Sequence, residues 1–386
     1  MNQTDDGQKK AIKTLGVSES PEVSSRVSGV LTEIATRRLK ADEAGIREAG
    51  AIIRSGGLVV FPTETVWGIG ADATNQKAVE RIFMAKGRPQ DNPLIVHVAD
   101  VDSVSLAAQE VSEAEQLLFK AFSPGPITII LPRNASIAKA VTAGLDTVGV
   151  RIPSHPVAHA FLLAAGVPVA APSANRSGRP SPTDADMAFH ELGGRVDAIL
   201  EGESSIVGVE STIVWVNDQR AHILRHGGVG PDEVEKALQR GGSKVHLESD
   251  ATRNASPTTP RAPGTRYRHY SPQALVIPAS TNSIKDDSSF IGHELFARGV
   301  PTAALVGLCL PSALQDLARG VLNKAGYKTT VLSTPETSSG LARVLFRSLC
   351  EADVRACAAL LVWYPDDVGG LGPAVRDRVS RAAGKS

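Results

Sequence analysis

The chain has 386 residues, with 41 acidic and 41 basic residues and a formal net charge of zero. This length predicts two domains, each large enough to bury its own core, and the balanced charge gives no global field that would favour nucleic acid or an anionic membrane. No apolar run approaches the roughly 20 residues of a transmembrane helix, and the N-terminus MNQTDDGQKK lacks the apolar core of a secretion signal. We therefore expect a cytoplasmic protein without a membrane segment.

A long polar segment precedes the first predicted element. Residues 1–40 are rich in serine and threonine and weakly periodic, which predicts a mobile N-terminal extension ahead of a first domain at 41–242. The pattern EAGIREAGAIIR at 43–54 predicts an amphipathic helix. It leads into the apolar run at 58–60, which predicts a buried strand that ends at Pro62.

Polar side chains gather immediately after this strand. Thr63, Glu64 and Thr65 stand where the strand ends, and the glycines that follow permit a tight turn. A lone threonine at such a place is ordinarily a capping hydroxyl. These residues therefore become candidates for a binding site only because other polar groups converge on them.

A helix and a second strand bring cations and an imidazole to the same region. The apolar face of the helix is predicted to hold Ala78, Ile82, Phe83 and Met84. The helix runs into Lys86 and Arg88, and a strand at 94–98 carries His97. Each cation alone could serve the helix C-terminus, and the histidine alone could belong to the core. Together with the hydroxyls they suit an anionic ligand.

The middle of the first predicted domain alternates helices and strands. The pattern predicts a helix at 112–122, a strand at 127–131 and a short strand ending at Arg151. A helix at 156–165 follows, with Pro156 at its first turn, where proline is favoured. This alternation predicts an α/β domain.

A buried strand then leads into a polar loop within 167–183. It delivers Ser173 and Asn175 beside two more cations, Arg176 and Arg179. Serine, asparagine and glycine also dominate turns for conformational reasons, so an ordinary loop remains an alternative interpretation.

Two strands and a helix complete the first predicted domain, and a linker follows it. The strand at 211–216 begins with Ser211, and the next strand places Arg225 before two glycines. A helix at 231–242 has proline in its first turn. Composition then shifts to serine, threonine and proline, which predicts a linker over 243–273. The linker ends in APGTRYRHYSP, whose tyrosines and arginines can stack on a base or cover a charged site.

The remaining segment, 274–386, alternates apolar runs with helices expected near 288–298, 312–325, 338–356 and 370–383. This order predicts a smaller, mainly parallel, doubly wound sheet with right-handed crossovers. No glycine-rich nucleotide motif opens any of these helices, so we expect a regulatory or structural domain. The three cysteines of the chain all lie in this segment and lack the spacing of a zinc site or a disulfide framework.

Six motifs occur in order along the chain and together resemble one family. They are FPTETVWGIG, KGRPQDNPLIVHV, PGPIT, GVRIPSHP, APSANRSGRPSPT and ESTIV. The set resembles the YrdC-like threonylcarbamoyl-adenylate synthases over residues 43 to about 240. The RYRHYSP linker and the α/β tail resemble the long, two-domain form of that family. One departure is Trp67, where many members carry tyrosine; it keeps an aromatic wall but removes a phenolic hydroxyl.

The resemblance implies a fold, a reaction and a partner. The first domain would be a YrdC-like twisted mixed sheet with a deep cleft, and the second a Rossmann-like domain. The enzyme would be a nucleotidyltransferase that converts L-threonine, bicarbonate and ATP to threonylcarbamoyl-AMP and pyrophosphate. Mg²⁺ would accompany ATP, held mainly by phosphates rather than by a protein metal site. The product would serve a tRNA threonylcarbamoyltransferase that forms N6-threonylcarbamoyladenosine (t6A) at position 37 of tRNA.

The resemblance also assigns residues to roles. The KxR and SxN signature of the family would supply the catalytic residues, here Lys86, Arg88, Ser173 and Asn175. The L-threonine-binding positions would be Thr65, His97, Arg151, Ala171 and Ser211. The ATP-binding positions would be Arg88, Asn92, Thr147, Ser173, Ser181, Arg225, His269 and Tyr270, with the last two folding over the nucleotide as a lid.

These residue types suit the implied reaction. The amine of threonine must first become a carbamate, which then attacks the α-phosphorus of ATP. Both reactants are anions, so the enzyme needs cations and backbone donors that screen their repulsion and align them. No covalent intermediate is required, which agrees with a set of candidates that contains no obvious Ser/His/Asp triad.

Two other functions remain open from the sequence. An RNA-binding module, or weak RNA binding by the enzyme, would draw phosphate contacts from Arg176, Arg179, Arg261, Arg266 and Arg268. Strongly salt-dependent tRNA binding without adenylation would favour that module. A carbamoyltransferase of the hydrogenase-maturation type contains a related domain, but such chains carry further modules and zinc-binding cysteines, neither of which this sequence shows.

Overall fold

Two β-sheets organise the part of the chain that the computed structural model describes, residues 34–248, 270–286, 289–367 and 369–384. The first sheet contains, in chain order, β1 (Arg37–Leu39), β2 (Val59–Phe61), β3 (Gly68–Asp72), β4 (Ile95–His97), β5 (Ile127–Pro132), β6 (Thr147–Arg151), β7 (Val169–Ala170), β8 (Ala198–Leu200), β9 (Thr212–Asn217), β10 (Arg220–Arg225) and β11 (His246–Leu247). Across the sheet the order is β1-β8-β2-β3-β7-β4-β6-β5-β9-β10-β11. Parallel pairs such as β4–β6 stand beside antiparallel pairs such as β5–β6, so the sheet is mixed.

Helices connect these strands and cover the sheet. They are α1 (Glu43–Arg54), α2 (Gln76–Lys86), α3 (Glu113–Phe122), α4 (Pro156–Ala165), α5 (Ala185–Leu192) and α6 (Pro231–Arg240), with a short 3₁₀ helix at Asp102–Leu106. Local sequence sets their ends: the Asp42 side chain caps α1, and Ser112 and Glu115 form a capping box at α3. Gly87 ends α2 in the left-handed conformation, at φ 59°, which glycine adopts without steric cost. The chain turns there, and Arg88 reaches the cleft described below.

The second sheet is parallel and smaller. Its strands are β12 (Leu275–Ala279), β13 (Leu305–Cys309), β14 (Lys328–Ser333) and β15 (Ala359–Trp363), in the order β12-β15-β13-β14. The helices of this domain are α7 (Thr281–Asp286), α8 (Ser289–Ala297), α9 (Ser312–Lys324), α10 (Ser338–Val354) and α11 (Gly372–Ala382). The predicted α/β fold, with a mixed sheet followed by a parallel one, is confirmed.

Helix α10 packs directly on the first domain. Gly208 has a φ of 81°, and a Cβ at that position would lie 2.3 Å from the carbonyl oxygen of Ala342 in α10. Val66 and Val209 of the first domain belong to the same buried apolar cluster as Phe346 of α10. The two domains therefore share one continuous core at this contact.

One carboxylate in the last turn of α10 joins three segments. Asp353 accepts hydrogen bonds from the Nη2 of Arg179, at 3.0 Å, and from the backbone N–H groups of Gln273 and Ala274, at 2.7 and 3.0 Å. The loop after β7 and the chain that enters β12 are thus both fixed to the second domain.

The domain boundaries differ from the sequence prediction at both edges of the large sheet. β1 lies in the segment predicted as an extension, yet it pairs in parallel with β8. β11 lies in the predicted linker and pairs with β10. Strands of two or three residues are too short to show an alternating pattern, so the sequence could not reveal them. Residues 1–33 of the predicted extension and 249–269 of the predicted linker lie outside the described residues.

Two smaller points concern individual helices. Met84 was predicted on the apolar face of α2, but it is 56% exposed, because the apolar face of that helix turns away from it while Ile82 and Phe83 enter the core. Within the described parts of the chain, no helix combines the length and apolar character needed to span a bilayer.

Candidate active site

A cleft opens in the first domain beside its contact with the second. It contains about 660 Å³ of empty space, counting the part open to solvent. Its walls come from the loops after β2 and β7, from β4 and β6, from the residues just before β9, from the end of β10, and from Tyr270 near the end of the predicted linker. Motifs that are far apart in sequence therefore meet at one place.

The structure brings most of the predicted site residues to this cleft. Those that line it are Arg88, His97, Arg151, Ala171, Ser173, Asn175, Ser181, Ser211, Arg225 and Tyr270. The cleft is also lined by residues outside the predicted set, namely Thr63, Val66, Trp67, Gly68, Leu94, Ile95, Pro172 and Glu210. Lys86, Thr65, Asn92 and Thr147 are not among its lining residues, and His269 lies outside the described residues.

Lys86 supports the cleft from behind. Its side chain is buried at the end of α2, and its Nζ donates to the carbonyl oxygens of Ser173, at 2.5 Å, and of Asn175. Loss of hydration on burial, reinforced by nearby Arg88, lowers the pKa of this ammonium group well below its usual value. The ammonium is thus engaged by the loop that carries Ser173 and Asn175, and the catalytic role of Lys86 stays a prediction from the resemblance.

The Ser173–Asn175 loop is tightly held. The Oγ of Ser173 donates to the Oδ1 of Asn175 at 2.5 Å. The Nδ2 of Asn175 donates to the carbonyl oxygens of Arg176 and Arg179, both at 2.8 Å. The two side chains of the SxN signature therefore shape the loop, while both also face the cleft.

Arg88 is oriented by the backbone that follows it. Its Nε donates to the carbonyl oxygen of Asn92 at 3.2 Å, and its Nη2 donates to that of Pro93 at 2.9 Å. Asn92 thus contacts Arg88 through its main chain and is itself buried. The guanidinium is fixed at the cleft wall before any ligand arrives.

A buried ion pair includes Arg151 of the cleft wall. The Nη2 of Arg151 lies 2.8 Å from the Oε1 of Glu64, and both side chains are at most 5% exposed. The backbone N–H of Ser154 donates to the other carboxylate oxygen at 3.2 Å. The Nε of Arg151 is buried without a hydrogen-bond partner in the described part of the chain. One face of this guanidinium is therefore fixed, while its Nε can still donate to a ligand.

His97 lies beside Arg151 on the neighbouring strand, in register with it. Burial lowers the pKa of its imidazole well below 6.5, and the charge of Arg151 lowers it further. The ring is thus neutral at physiological pH. Its Nδ1 is buried and makes no hydrogen bond to the residues that the structure describes.

The two threonines of the first motif bond to each other. Their hydroxyl oxygens are 2.8 Å apart, and the Oγ1 of Thr63 donates to the carbonyl oxygen of Val66 at 2.6 Å. Because Thr63 uses its one proton there, the hydroxyl of Thr65 is the donor between the two. Thr63 faces the cleft and Thr65 supports it. Thr147 begins β6, roughly 13 Å along that strand from Arg151, which explains why it does not line the cleft.

Arg225 and Ser211 form another part of the cleft wall. The Nη2 of Arg225 donates to the Oγ of Ser211 at 3.1 Å, and its Nε donates to the Ser211 carbonyl oxygen at 3.1 Å. Thr128 of β5 lies 2.7 Å from the same Ser211 hydroxyl. Burial lowers the pKa of Arg225 to about 10, against the opposing charge of Glu210. The group therefore stays cationic at neutral pH.

Sequence reasoning missed the carboxylate of this wall. Glu210 accepts from the Oγ of Ser181 at 2.7 Å and from the Nε of Arg378, on α11, at 3.1 Å. Burial alone would raise its pKa, but Arg378 and Arg225 hold it down at about 2. Glu210 is the first residue of the ESTIV motif, so the motif could have identified it as a candidate site residue. Nothing in the sequence linked Arg378 to it.

Aromatic groups close the cleft. Trp67 is fully buried, and its Nε1 makes no hydrogen bond to the described residues. Tyr270 stacks on Phe346 of α10, with ring centroids 5.0 Å apart. Burial raises the pKa of the Tyr270 phenol above its usual range, so it is a neutral wall at physiological pH.

The basic residues considered for RNA contacts are only partly described. Arg176 pairs with Glu191 at 3.3 Å, and Arg179 pairs with Asp353 at 3.0 Å. The other three, Arg261, Arg266 and Arg268, lie outside the described residues. Both described arginines therefore make ion pairs within the protein, and their contact with RNA stays a prediction.

Comparisons with known proteins agree with this arrangement. A family model named for Sua5, YciO and YrdC and described as telomere recombination matches residues 51–227. A second model, described as the C-terminal domain of threonylcarbamoyl-AMP synthase, matches residues 229–384. Together the two models cover every strand of both sheets except β1.

Similar proteins carry the same name. A threonylcarbamoyl-AMP synthase from Pyrococcus abyssi is 37% identical, over 92% of this chain and 98% of that protein. One from Bacillus subtilis is 42% identical over 62% of this chain and 68% of that protein. The crystal structure of P. abyssi Sua5 complexed with L-threonine superimposes with a TM-score of 0.78 at 34% identity, covering 91% of this chain and 98% of that one.

Proposed function

We propose that this chain, which belongs to the Sua5/YrdC family of threonylcarbamoyl-AMP synthases, converts L-threonine, bicarbonate and ATP to threonylcarbamoyl-AMP and pyrophosphate. The observation that carries the proposal is the convergence of three guanidinium groups, from Arg88, Arg151 and Arg225, on one cleft lined with hydroxyls. Such a site suits a reaction between two anions, since fixed cations screen their repulsion without reorganising during the reaction.

The Arg151 end of the cleft suits threonine. The buried Nε of Arg151 can donate to the carboxylate of the amino acid, and charge-assisted bonds of this kind are short and strong. The neutral His97 beside it offers its Nδ1 to the polar groups of the substrate without adding a charge that would repel the ammonium. Ala171, which also lines the cleft, leaves room for a small side chain.

A second group of lining residues, here called the nucleotide wall, suits the nucleotide. It consists of Arg88, Ser173, Ser181, Glu210 and Arg225, and the arginines among them can receive the phosphates. Tyr270 would cover the nucleotide and limit access of water. The proposed roles of Asn92, Thr147 and His269 in ATP binding stay predictions from the resemblance.

The chemistry follows from holding these substrates together. The threonine amine adds to bicarbonate with loss of water and gives a carbamate. An oxygen of the carbamate then attacks the α-phosphorus, the bond to the β-phosphate oxygen breaks, and pyrophosphate leaves. Positioning supplies much of the acceleration in such a transfer, and the cations stabilise the charge that develops. No side chain has to become covalently attached.

Mg²⁺ would enter with ATP as part of the substrate. The described residues contain no group of three or more histidine, cysteine or acidic side chains that could hold a metal ion. The carboxylate of Glu210 is already engaged by Ser181 and Arg378. The phosphates and water would therefore be the main ligands of the ion.

The product is a mixed anhydride of a carbamate and a phosphate, which water can hydrolyse. It needs a transferase that accepts it directly, and we propose that a tRNA threonylcarbamoyltransferase uses it for t6A at position 37 of tRNA. We place the reaction in the cytoplasm, where ATP and tRNA are both available.

Pyrophosphate release tests the proposal. Release from ATP that requires both L-threonine and bicarbonate, with the new adenylate seen by mass spectrometry, would support it. Arg88→Ala should abolish the release and leave the far-UV circular dichroism unchanged. Arg47→Ala, at an exposed pair on α1, is the matched control and should behave as wild type. Absence of release from folded wild-type protein, with salt-dependent tRNA binding in its place, would overturn the proposal in favour of an RNA-binding module.

A further inference from the structure

Arg378 is a residue of the second domain that reaches the cleft wall of the first. It lies on α11 and is fully buried. Its Nε donates to Glu210 at 3.1 Å, and its Nη1 lies 2.9 Å from the neighbouring Asp377. Its guanidinium also stands over the ring of Tyr270, 5.7 Å from the centroid. Both Glu210 and Tyr270 line the cleft.

Glu210 organises the nucleotide wall. It is the one acidic residue among the described residues that line the cleft. It orients Ser181 by accepting its hydroxyl proton. It also precedes Ser211, to which Arg225 is bonded. A buried carboxylate without a cation would repel the anions that this cleft is built to hold.

Stability alone does not account for the pair. Burying a guanidinium and a carboxylate removes both from water, and a buried ion pair often stabilises a protein no more than apolar residues of the same volume. The Nη2 of Arg378 is in addition buried without a hydrogen-bond partner in the described part of the chain. An unpartnered buried donor is unfavourable. We therefore look for the role of this pair in ligand binding at the cleft rather than in stability.

We propose that Arg378 is a positioning residue for nucleotide binding: it neutralises and orients Glu210, so that Ser181 and Arg225 are held ready for the triphosphate. Arg378 does not line the cleft and acts through Glu210. The second domain thus completes the site of the first. The inference rests on the proposed function for the identity of the nucleotide.

The first test separates ATP from threonine. Arg378→Gln should raise the KM for ATP by about tenfold or more, since it leaves Glu210 buried without its partner, and should change the KM for threonine by less than about twofold. Arg378→Lys keeps the charge and should recover part of the loss. Arg381→Gln is the matched control, one turn later on α11, because Arg381 pairs with Asp377 and not with Glu210.

A double variant tests whether the effect passes through Glu210. In Glu210→Gln/Arg378→Gln the unpaired carboxylate is gone, so the KM for ATP should fall below that of Arg378→Gln. If the two single effects multiplied instead, Arg378 would act independently of Glu210, and the inference would be overturned. Equal increases in the KM for ATP and for threonine, with no recovery in Arg378→Lys, would show a merely structural role and overturn it as well.

Binding measurements keep this test independent of turnover. Calorimetric titration of each variant with a non-hydrolysable ATP analogue and Mg²⁺, and separately with L-threonine, reports the two affinities directly. If wild-type protein formed no adenylate, the proposed reaction would fail, while a selective loss of analogue affinity in Arg378→Gln would still support the positioning role. Unchanged affinity for the analogue in that variant would overturn it. Thermal unfolding of each variant confirms that it is folded.

Discussion

Two buried ion pairs stand at the cleft, and they are assembled differently. Glu64 and Arg151 come from the loop after β2 and from β6, within the first domain. Glu210 and Arg378 lie 168 residues apart and meet only where α11 of the second domain packs on the first. One ion pair is therefore complete within the first domain, whereas the other depends on the contact between domains.

The largest effect should come from breaking the pair within the first domain. Arg151→Ala leaves Glu64 buried and unpaired, which should lower the free energy of unfolding by about 3–5 kcal/mol and threonine-dependent turnover by roughly a hundredfold or more. Urea denaturation and pyrophosphate release measure the two effects. Arg47→Ala removes an exposed pair and should change stability by less than about 1 kcal/mol. Equal losses of unfolding free energy in Arg151→Ala and Arg47→Ala would show that burial of the Glu64–Arg151 pair does not affect its contribution to stability.

A substitution at the domain contact should disturb the other pair. Gly208→Ala would put a Cβ 2.3 Å from the Ala342 carbonyl oxygen, at a φ of 81°. We expect a loss of about 2–4 kcal/mol, with a higher KM for ATP and an unchanged affinity for threonine. Gly144→Ala is the control, because φ there is 84° but a Cβ would meet open space. It should cost about 1 kcal/mol. A similar loss of unfolding free energy at both positions would mean that α10 can shift to accommodate the added Cβ without a large penalty.

Acid should weaken the second pair in a defined range. The pKa of Glu210 is lowered from 4.5 to about 2 in the folded state, so its contribution to stability is fully present above pH 4.5 and is lost as the pH falls towards 2. The contribution is up to about 3 kcal/mol. Unfolding free energies of wild type and Glu210→Gln should therefore converge over that range. A difference that stays constant with pH would contradict the lowered pKa.

His97, which also lines the cleft, should give the smallest effect. Its folded pKa lies well below 6.5, so the unfolded chain takes up a proton below that pH while the folded chain does not. Stability should then fall by up to about 1.4 kcal/mol per pH unit as the pH drops below 6.5. His97→Gln should lack this component, which the difference between the two unfolding curves isolates. Identical slopes would indicate that His97 ionises normally.

The fold followed from the sequence because its signals are local. Alternating apolar runs and helices predicted the second domain, and the helix predicted at 112–122 is present as α3, at Glu113–Phe122. The strands β1 and β11 escaped prediction since they are very short and lie at the edges of the sheet. Their place is set by pairing with β8 and β10, which no local pattern encodes.

Part of the candidate site could be predicted from the sequence. Motif residues such as Arg88 and Ser173 could be predicted to converge, because strands and loops of one domain deliver them. The direction in which a side chain points could not be predicted. Lys86 is an example, because its ammonium group points to carbonyl oxygens of a neighbouring loop. Arg378 could not be predicted at all, since its partner Glu210 belongs to the other domain.

Asp353 has a consequence for how freely the two domains can be recombined. It receives Arg179 from one domain and the first backbone N–H groups of the other, while Phe346 on the same helix supports Tyr270. A chimera that joined this catalytic half to the C-terminal half of a relative would keep its cleft only if the donor offered equivalents of these groups and of Arg378. The two halves are therefore expected to change together during evolution rather than as interchangeable modules.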